Sequence, residues 1–195
     1  MSGRATRLER FEVADLDAAQ RKIYDRIVGG RRVGKPQPYP LVDERGRLEG
    51  PTNAWLLSPP VGEAFELLGA AIRFDLSISH RIREIVTFLV AAHRDSPYEK
   101  YAHRLTAPLA GMTAEEIEEL CAGRDPGLTD ESERVAFEVA RTLIESGDLD
   151  DATYERAVAL LGARGLFEIT VLIGYYEMTA TQLAVFGVLP PDNAG

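Results

Sequence analysis

From Pro60 to Phe186 the apolar residues recur at helical spacing and no segment sustains the alternation of a strand, so the greater part of this chain can fold only as packed helices. Caps and breakers predict helices over 61–74, 80–93, 97–110, 113–122, 130–146, 151–162 and 165–185. Pro108 removes a hydrogen bond in the last turn of the third of these, so a kink or early end is expected there. Upstream, Asp15 is expected to cap a helix carrying Leu16, Ala19, Ile23, Tyr24 and Ile27, which Gly29 and Gly30 end, after a loosely ordered lead-in over 1–14. Between Arg31 and Pro60 the breakers KPQPYP, ERGRLEGP and SPP predict a long loop. Trp55, Leu56 and Leu57 in its middle read as packing residues, with a pocket wall as the alternative. Two pairs of segments are alike: AFELLGAAI at 64–72 with AFEVARTLI at 136–144, and REIVTFLVAAH at 83–93 with FEITVLIGYYE at 167–177, a weak sign of duplication.

Composition narrows the function classes. A net charge of -9, from 22 basic and 31 acidic residues, argues against a nucleic-acid surface or a polybasic membrane patch. No apolar run is read as approaching the roughly 20 residues of a membrane span, and the N-terminus MSGRATRLERF has no signal-peptide core, so the cytoplasm is the expected location. Cys121 is the only cysteine, which excludes an intrachain disulfide, a thiolate metal cluster and a redox dithiol, and it reads as a buried core residue. The acidic clusters at 115–119 and 130–133 begin predicted helices, where the macrodipole favours them, and read as solvated faces.

Candidate chemistry concentrates in REIVTFLVAAHRDSPYEKYAHRLTAPLAG, residues 83–111. On the helix over 80–93, Ile82, Ile85, Val86 and Leu89 share one side, and Glu84, Phe88 and Ala91 lie nearly opposite. Both sides look buried, so Glu84 must either find a partner or have its pKa raised. Ser96, Pro97 and Glu99 form the start signature of the next helix, with Glu99 as the reciprocal member of a capping box; one turn on, His103 shares its face. Glu99, Ala102, His103, Thr106 and Ala110 make a stripe of mostly small residues beside another of Tyr98, Tyr101, Leu105 and Leu109, which leaves room for a ligand. Plainer readings stand beside these: Ser96 and Glu99 as a helix cap only, Glu84 as one half of an arginine pair, and His103 as a satisfied core histidine. His80 and His93 read as helix-end residues, and no histidine pair with a third ligand is evident, so no metal is expected.

This block resembles the carboxymuconolactone decarboxylase family, which includes the alkylhydroperoxidase D branch. The resemblance runs over roughly residues 50–187, through GPTNAWLLSPP, the block from LSISH to IEEL, and GLFEITVLIGYYEMTATQLAVFGVLP. It implies an alkylhydroperoxidase D-like all-α bundle over 51–189 with residues 1–50 as an N-terminal extension. In the peroxidase branch a glutamate is followed 12 and 15 residues later by cysteines and 19 residues later by a histidine; counted from Glu84 those positions hold Ser96, Glu99 and His103. The glutamate and histidine are kept and both thiols are absent, so dithiol peroxide reduction is excluded on chemical grounds. The Tyr98-Glu99 pair followed by His103 is similar to the decarboxylase side of the family.

The resemblance implies a cofactor-free lyase on a small carboxylated, lactone-like metabolite of aromatic catabolism, assembled as trimers or hexamers with sites near subunit contacts. His103 is then the expected proton donor, with Glu84 or Glu99 orienting it and drawing its pKa towards neutrality. Tyr98 or Tyr101 would donate to the lactone oxygen, and Ser96, Trp55 and Arg83 complete the expected substrate contacts. A dianionic lactone would need cations, for which the nearby sequence offers only Arg73, Arg81, Arg83, Arg94 and Arg104. Two rival classes remain open: another acid–base isomerase or hydro-lyase with the same residues, and a non-catalytic ligand-binding or assembly protein.

Overall fold

The structure, a computed structural model, describes residues 6–31 and 38–191. Among these there are eight α-helices and no strand, only an isolated antiparallel bridge between Val42 and Leu48. The helices are α1 (Ala18–Gly29), α2 (Thr52–Trp55), α3 (Pro59–Phe74), α4 (His80–His93), α5 (Pro97–Thr106), α6 (Ala114–Cys121), α7 (Glu131–Ser146) and α8 (Asp151–Phe186). From α3 onward the bounds follow the sequence expectation within two residues, with two instructive exceptions, while α2 is a single turn inside the stretch expected to be a loop. α5 ends at Thr106 and tightens into a 3-10 turn over Ala107–Ala110, where Pro108 withholds its N–H. The two helices expected over 151–162 and 165–185 run on as α8, bent at Gly162, whose φ of 72° and ψ of 160° break the helical ladder.

Two compact units are formed: residues up to Phe74 together with those from Thr181 onward, and Asp75–Ala180. The first unit therefore takes in α1, α2 and α3. The cause lies in the first unit, where Arg26 of α1 pairs with Glu63 and Glu66 of α3, and Lys22 with Glu63. α1 is capped by Asp17, not Asp15, through a reciprocal box with Gln20; Asp15 closes a preceding 3-10 turn. The lead-in is pinned where it is described: Asn53 Oδ1 accepts from Phe11 N at 3.1 Å and its Nδ2 donates to Glu9 O at 3.1 Å. Part of the expected loop, residues 32–37, and the first five residues of the lead-in lie outside the described residues. Trp55 is buried, its ring 5.3 Å from that of Phe65, and its Nε1 donates to Gln182 at 3.2 Å. Gly62 allows this packing, since a Cβ there would collide with the Trp55 carbonyl oxygen.

In the second unit α4 is the central element, packed by α5, α6 and α7. Its residues from Glu84 to Ala91 are all buried, which matches an apolar helix with no solvent face over two turns. Two polar fixtures hold it. Arg81 donates to Glu133 at 2.7 Å, to Glu116 at 2.6 Å and to the Gly111 carbonyl at 2.9 Å, tying α4 to α7, α6 and the turn after α5. Glu168 of α8 is buried and accepts from Ser77 N at 2.7 Å, Ser77 Oγ at 2.8 Å, Ile78 N at 3.2 Å and Arg164 Nε at 2.8 Å, fixing the segment that leads into α4.

α8 corrects one expectation. By length and composition it could cross a membrane, with a mean hydropathy of 1.7 over 18 residues. The individual charges Glu168 and Glu177 interrupt the sequence enough to hide that apolar run. Leu166, Ile169, Leu172, Tyr176 and Leu183 recur on its buried side at helical spacing, and a third of the apolar stretch is buried. Both members of each similar segment pair are helical, in α3 and α7 and in α4 and α8.

Candidate active site

The Arg94-Asp95-Ser96 joint sets the site. Ser96 N donates to Ala91 O at 2.9 Å, and Asp95 takes a left-handed φ of 42°, which aspartate tolerates better than most side chains. The chain thus reverses in three residues, and α5 returns against α4 with His103 opposite Glu84.

His103 Nδ1 lies 2.7 Å from Glu84 Oε2, and its Nε2 lies 3.5 Å from Glu99 Oε2. The remaining Glu84 oxygen, Oε1, accepts from Arg83 Nη2 at 3.0 Å and Nε at 3.3 Å, and Thr106 Oγ1 donates to Oε2 at 3.0 Å. The imidazole is walled by the Tyr176 ring at 5.2 Å and the Phe88 ring at 6.1 Å, both edge to face. Glu84, Glu99, Ser96 and His103 are all buried. The candidate carboxylates and histidine therefore form one cluster, an imidazole held between two carboxylates.

The electrostatics follow from that enclosure. Burial pushes His103 down, but the charge and hydrogen bond of Glu84, and then the nearby Glu99 carboxylate, outweigh it and push it up to about 10. Burial likewise pushes Glu84 up, and the His103 cation followed by Arg83 outweighs it and holds Glu84 at about 2. The resting site is an imidazolium between carboxylates. The expectation of a histidine drawn to neutrality is corrected: two anionic neighbours in a desolvated site stabilise the cation well beyond that point.

Three further expectations change. Ser96 makes no side-chain cap bond and Glu99 does not close the capping box; Glu99 turns inward to His103 instead. Arg83 does not offer a free guanidinium, because it is spent on Glu84. Arg81, Arg94 and Arg104 are likewise paired, with Glu116 and Glu133, with Glu177 and with Glu118. Tyr98 is buried with its ring 6.0 Å from that of Tyr101 at the start of α5. Trp55 belongs to the first unit, where it packs on Phe65 and lines a cavity of about 140 Å³ with Gln182 and Phe186. Sequence reasoning gave no role to Thr106 and missed Tyr176. Thr106 sat on the His103 stripe, and Tyr176 could have been found only by pairing α8 with α5. Cys121 is buried, and burial pushes its thiol up, as in an inert core cysteine. Among the described residues no group of His, Cys, Asp and Glu is arranged to hold a metal ion.

The profile of the carboxymuconolactone decarboxylase family matches residues 59–142. No curated protein matches the chain significantly. Among solved structures, a peroxidase-related protein from Silicibacter sp. TM1040 is 15% identical with a TM-score of 0.73, covering 97% of this chain and 93% of that one. A peroxidase-related protein with an alkylhydroperoxidase AhpD core from Ralstonia eutropha JMP134 is 16% identical with a TM-score of 0.74, covering 96% and 93%. The debrominase Bmp8 is 13% identical with a TM-score of 0.70, covering 95% and 92%. At these identities the structural likeness speaks for the fold, and the profile match bears on the helices that carry Glu84, Glu99 and His103. The carboxymuconolactone decarboxylase profile thus covers the helices from α3 into α7, and the chain as a whole has an alkylhydroperoxidase D-like helical fold.

Proposed function

We propose that this protein is a cofactor-free lyase that acts on a small carboxylated, lactone-like metabolite by general acid–base chemistry, with His103 as the proton donor. The observation that supports this reading is the buried imidazolium whose Nδ1 is fixed by Glu84 at 2.7 Å while Nε2 meets only the longer 3.5 Å contact with Glu99. The tightly held proton stays on Nδ1, and the loosely held one on Nε2 is available for transfer. When the bond to the departing carboxylate breaks, its electron pair moves through the ring to the carbonyl oxygen as CO2 leaves. The proton on Nε2 then passes to carbon, and solvent restores it to the imidazole. Burial favours loss of the carboxylate charge, and the absence of thiols from the motif positions leaves acid–base chemistry as the use of the site.

The test incubates purified protein with 4-carboxymuconolactone and follows CO2 release and lactone absorbance beside His103→Ala and His103→Gln variants. Turnover that both variants lose supports the reading; turnover they retain removes His103 as the acid. We further propose assembly into homo-oligomers, supported by the exposed Phe167 and Met178 on α8. Sedimentation of the native protein as a monomer would contradict it.

A further inference from the structure

The two carboxylates of the site are not equivalent. Glu84 receives four donors, two from Arg83 and one each from His103 and Thr106. A carboxylate has about four acceptor positions, so Glu84 has no capacity left for a substrate. Glu99 is only 4% exposed, and among the described residues its carboxylate meets one group, Nε2 of His103 at 3.5 Å, beyond an ordinary hydrogen bond. A buried carboxylate with unfilled acceptor positions is costly unless something outside the protein fills them. Beside it stands the Nε2–H donor. The site therefore presents an acceptor next to a donor, walled by the Tyr176 and Phe88 rings. Arg81, Arg83, Arg94 and Arg104 are all occupied by the protein's own carboxylates. None of these four is left to meet an anion at this edge, so the group that docks on the Glu99–His103 pair is an uncharged carbonyl, whatever charge the rest of the molecule carries.

We propose that this edge enolises small uncharged carbonyl compounds: Glu99 removes a proton from the carbon next to the carbonyl while Nε2–H of His103 donates to the carbonyl oxygen. The C–H electron pair becomes the C=C bond of the enol, and the carbonyl π pair becomes the bond to the new hydroxyl proton. Glu99 holds the carbon proton. On collapse the hydroxyl proton returns to Nε2 and Glu99 gives its proton back, to the same carbon or, in an unsaturated substrate, to the far end of the conjugated system. Nothing is oxidised or reduced. Glu84, Arg83 and Thr106 are positioning residues in this step, since each acts through the imidazole or through Glu84.

This activity rests on acid–base use of His103, as the lyase reading does, but it adds a base that the lyase reading does not require. The probe is α-angelica lactone, an uncharged β,γ-unsaturated lactone, incubated with the full-length protein in D2O and followed by proton NMR. The expected result is loss of the ring methylene signal at a rate roughly 100-fold above the buffer blank, at the low end for a positioned acid–base pair. The conjugated isomer should accumulate. Glu99→Gln should fall to the blank while its NMR spectrum still shows a folded protein and a protonated His103, a combination that loss of structure would not give. Should that variant fail to fold, Glu99→Asp is measured instead, and a fall in kcat with little change in KM is expected. Exchange by the wild type no faster than the blank, or undiminished exchange in Glu99→Gln, overturns the proposal. CO2 release from 4-carboxymuconolactone that survives in Glu99→Gln while exchange falls to the blank supports the added base, since the lyase step uses His103 alone. Exchange without CO2 release would keep the enolising pair and remove the lyase reading.

Discussion

His103 Nδ1 lies 2.7 Å from Glu84 Oε2, a contact between residues 19 apart on two helices joined by a three-residue reversal. Because Glu84 is also held by Arg83 and Thr106, the carboxylate cannot rotate without breaking several charge-assisted bonds, and the ring orientation is fixed with it. Rigidity of this kind is what a positioned proton donor needs.

Replacing His103 by Ala should cost about 3–5 kcal/mol of stability, because it leaves Glu84 and Glu99 buried without their shared cation. His103→Gln keeps a donor for Glu84 and should cost less. Thermal or urea unfolding of the two variants checks the order, and equal stability of His103→Ala and wild type would show that the triad contributes nothing.

The pH dependence of stability follows from the two shifted groups. His103 is raised from 6.5 to about 10, so its contribution is complete below about 6.5 and is lost as pH climbs through 10. Glu84 is lowered from 4.5 to about 2, so its contribution is complete above about 4.5 and is lost as pH falls through 2. The groups facing the imidazole are Glu84 and Arg83 from α4, Glu99 and Thr106 from α5, and Tyr176 from α8. Urea titrations across pH should therefore show the Glu84–His103 contribution greatest between about 4.5 and 6.5, as the difference between wild type and a Glu84→Gln, His103→Gln double variant. A contribution that rises from pH 7 to 10 would contradict the assigned direction.

Thr106→Val removes one donor to a charged acceptor in nearly the same volume, and a loss of about 1.5–3 kcal/mol is expected, restored by Thr106→Ser. Chemical denaturation of the pair checks this. If the serine variant is no more stable than the valine one, Thr106 holds its place by packing alone.

Glu168→Ala should destabilise the protein by about 1–3 kcal/mol, because Ser77 N, Ile78 N and Ser77 Oγ would lose their shared acceptor. The opening of the segment ahead of α4 should appear as faster amide exchange at residues 77 and 78. Unchanged exchange there would show that the carboxylate is not what holds the segment.

The helical plan was legible because periodicity, caps and breakers agree from α3 to α8, and each is a local signal. The Glu84 and His103 positions were legible too, as a carboxylate on an apolar helix and a histidine on a stripe of small residues. What the sequence hid was set by choices between partners. Ser96-x-x-Glu99 satisfies the capping-box pattern, yet a buried cation offered Glu99 more than a backbone N–H did. Arg83 could be read as a substrate contact or as the partner of Glu84, and nothing local decides in favour of the pair that forms. Tyr176 is 73 residues beyond His103, and no periodicity within either helix can bring the two together. The Arg26 pairs with Glu63 and Glu66 likewise join residues about 40 apart, beyond the reach of any local signal.

The most direct test is the protonation state of His103, read from its two ring nitrogens by 15N NMR in a protein with only three histidines. His80 and His93 lie exposed at the two ends of α4, so the buried His103 signals can be assigned by loss in His103→Gln. An imidazolium that persists through neutrality and releases its proton only as the pH nears 10 is the predicted result, with Nε2–H lost and Nδ1–H kept. A His103 that loses its proton near the ordinary imidazole value of 6.5 would contradict the clamped cation on which the proposed chemistry depends.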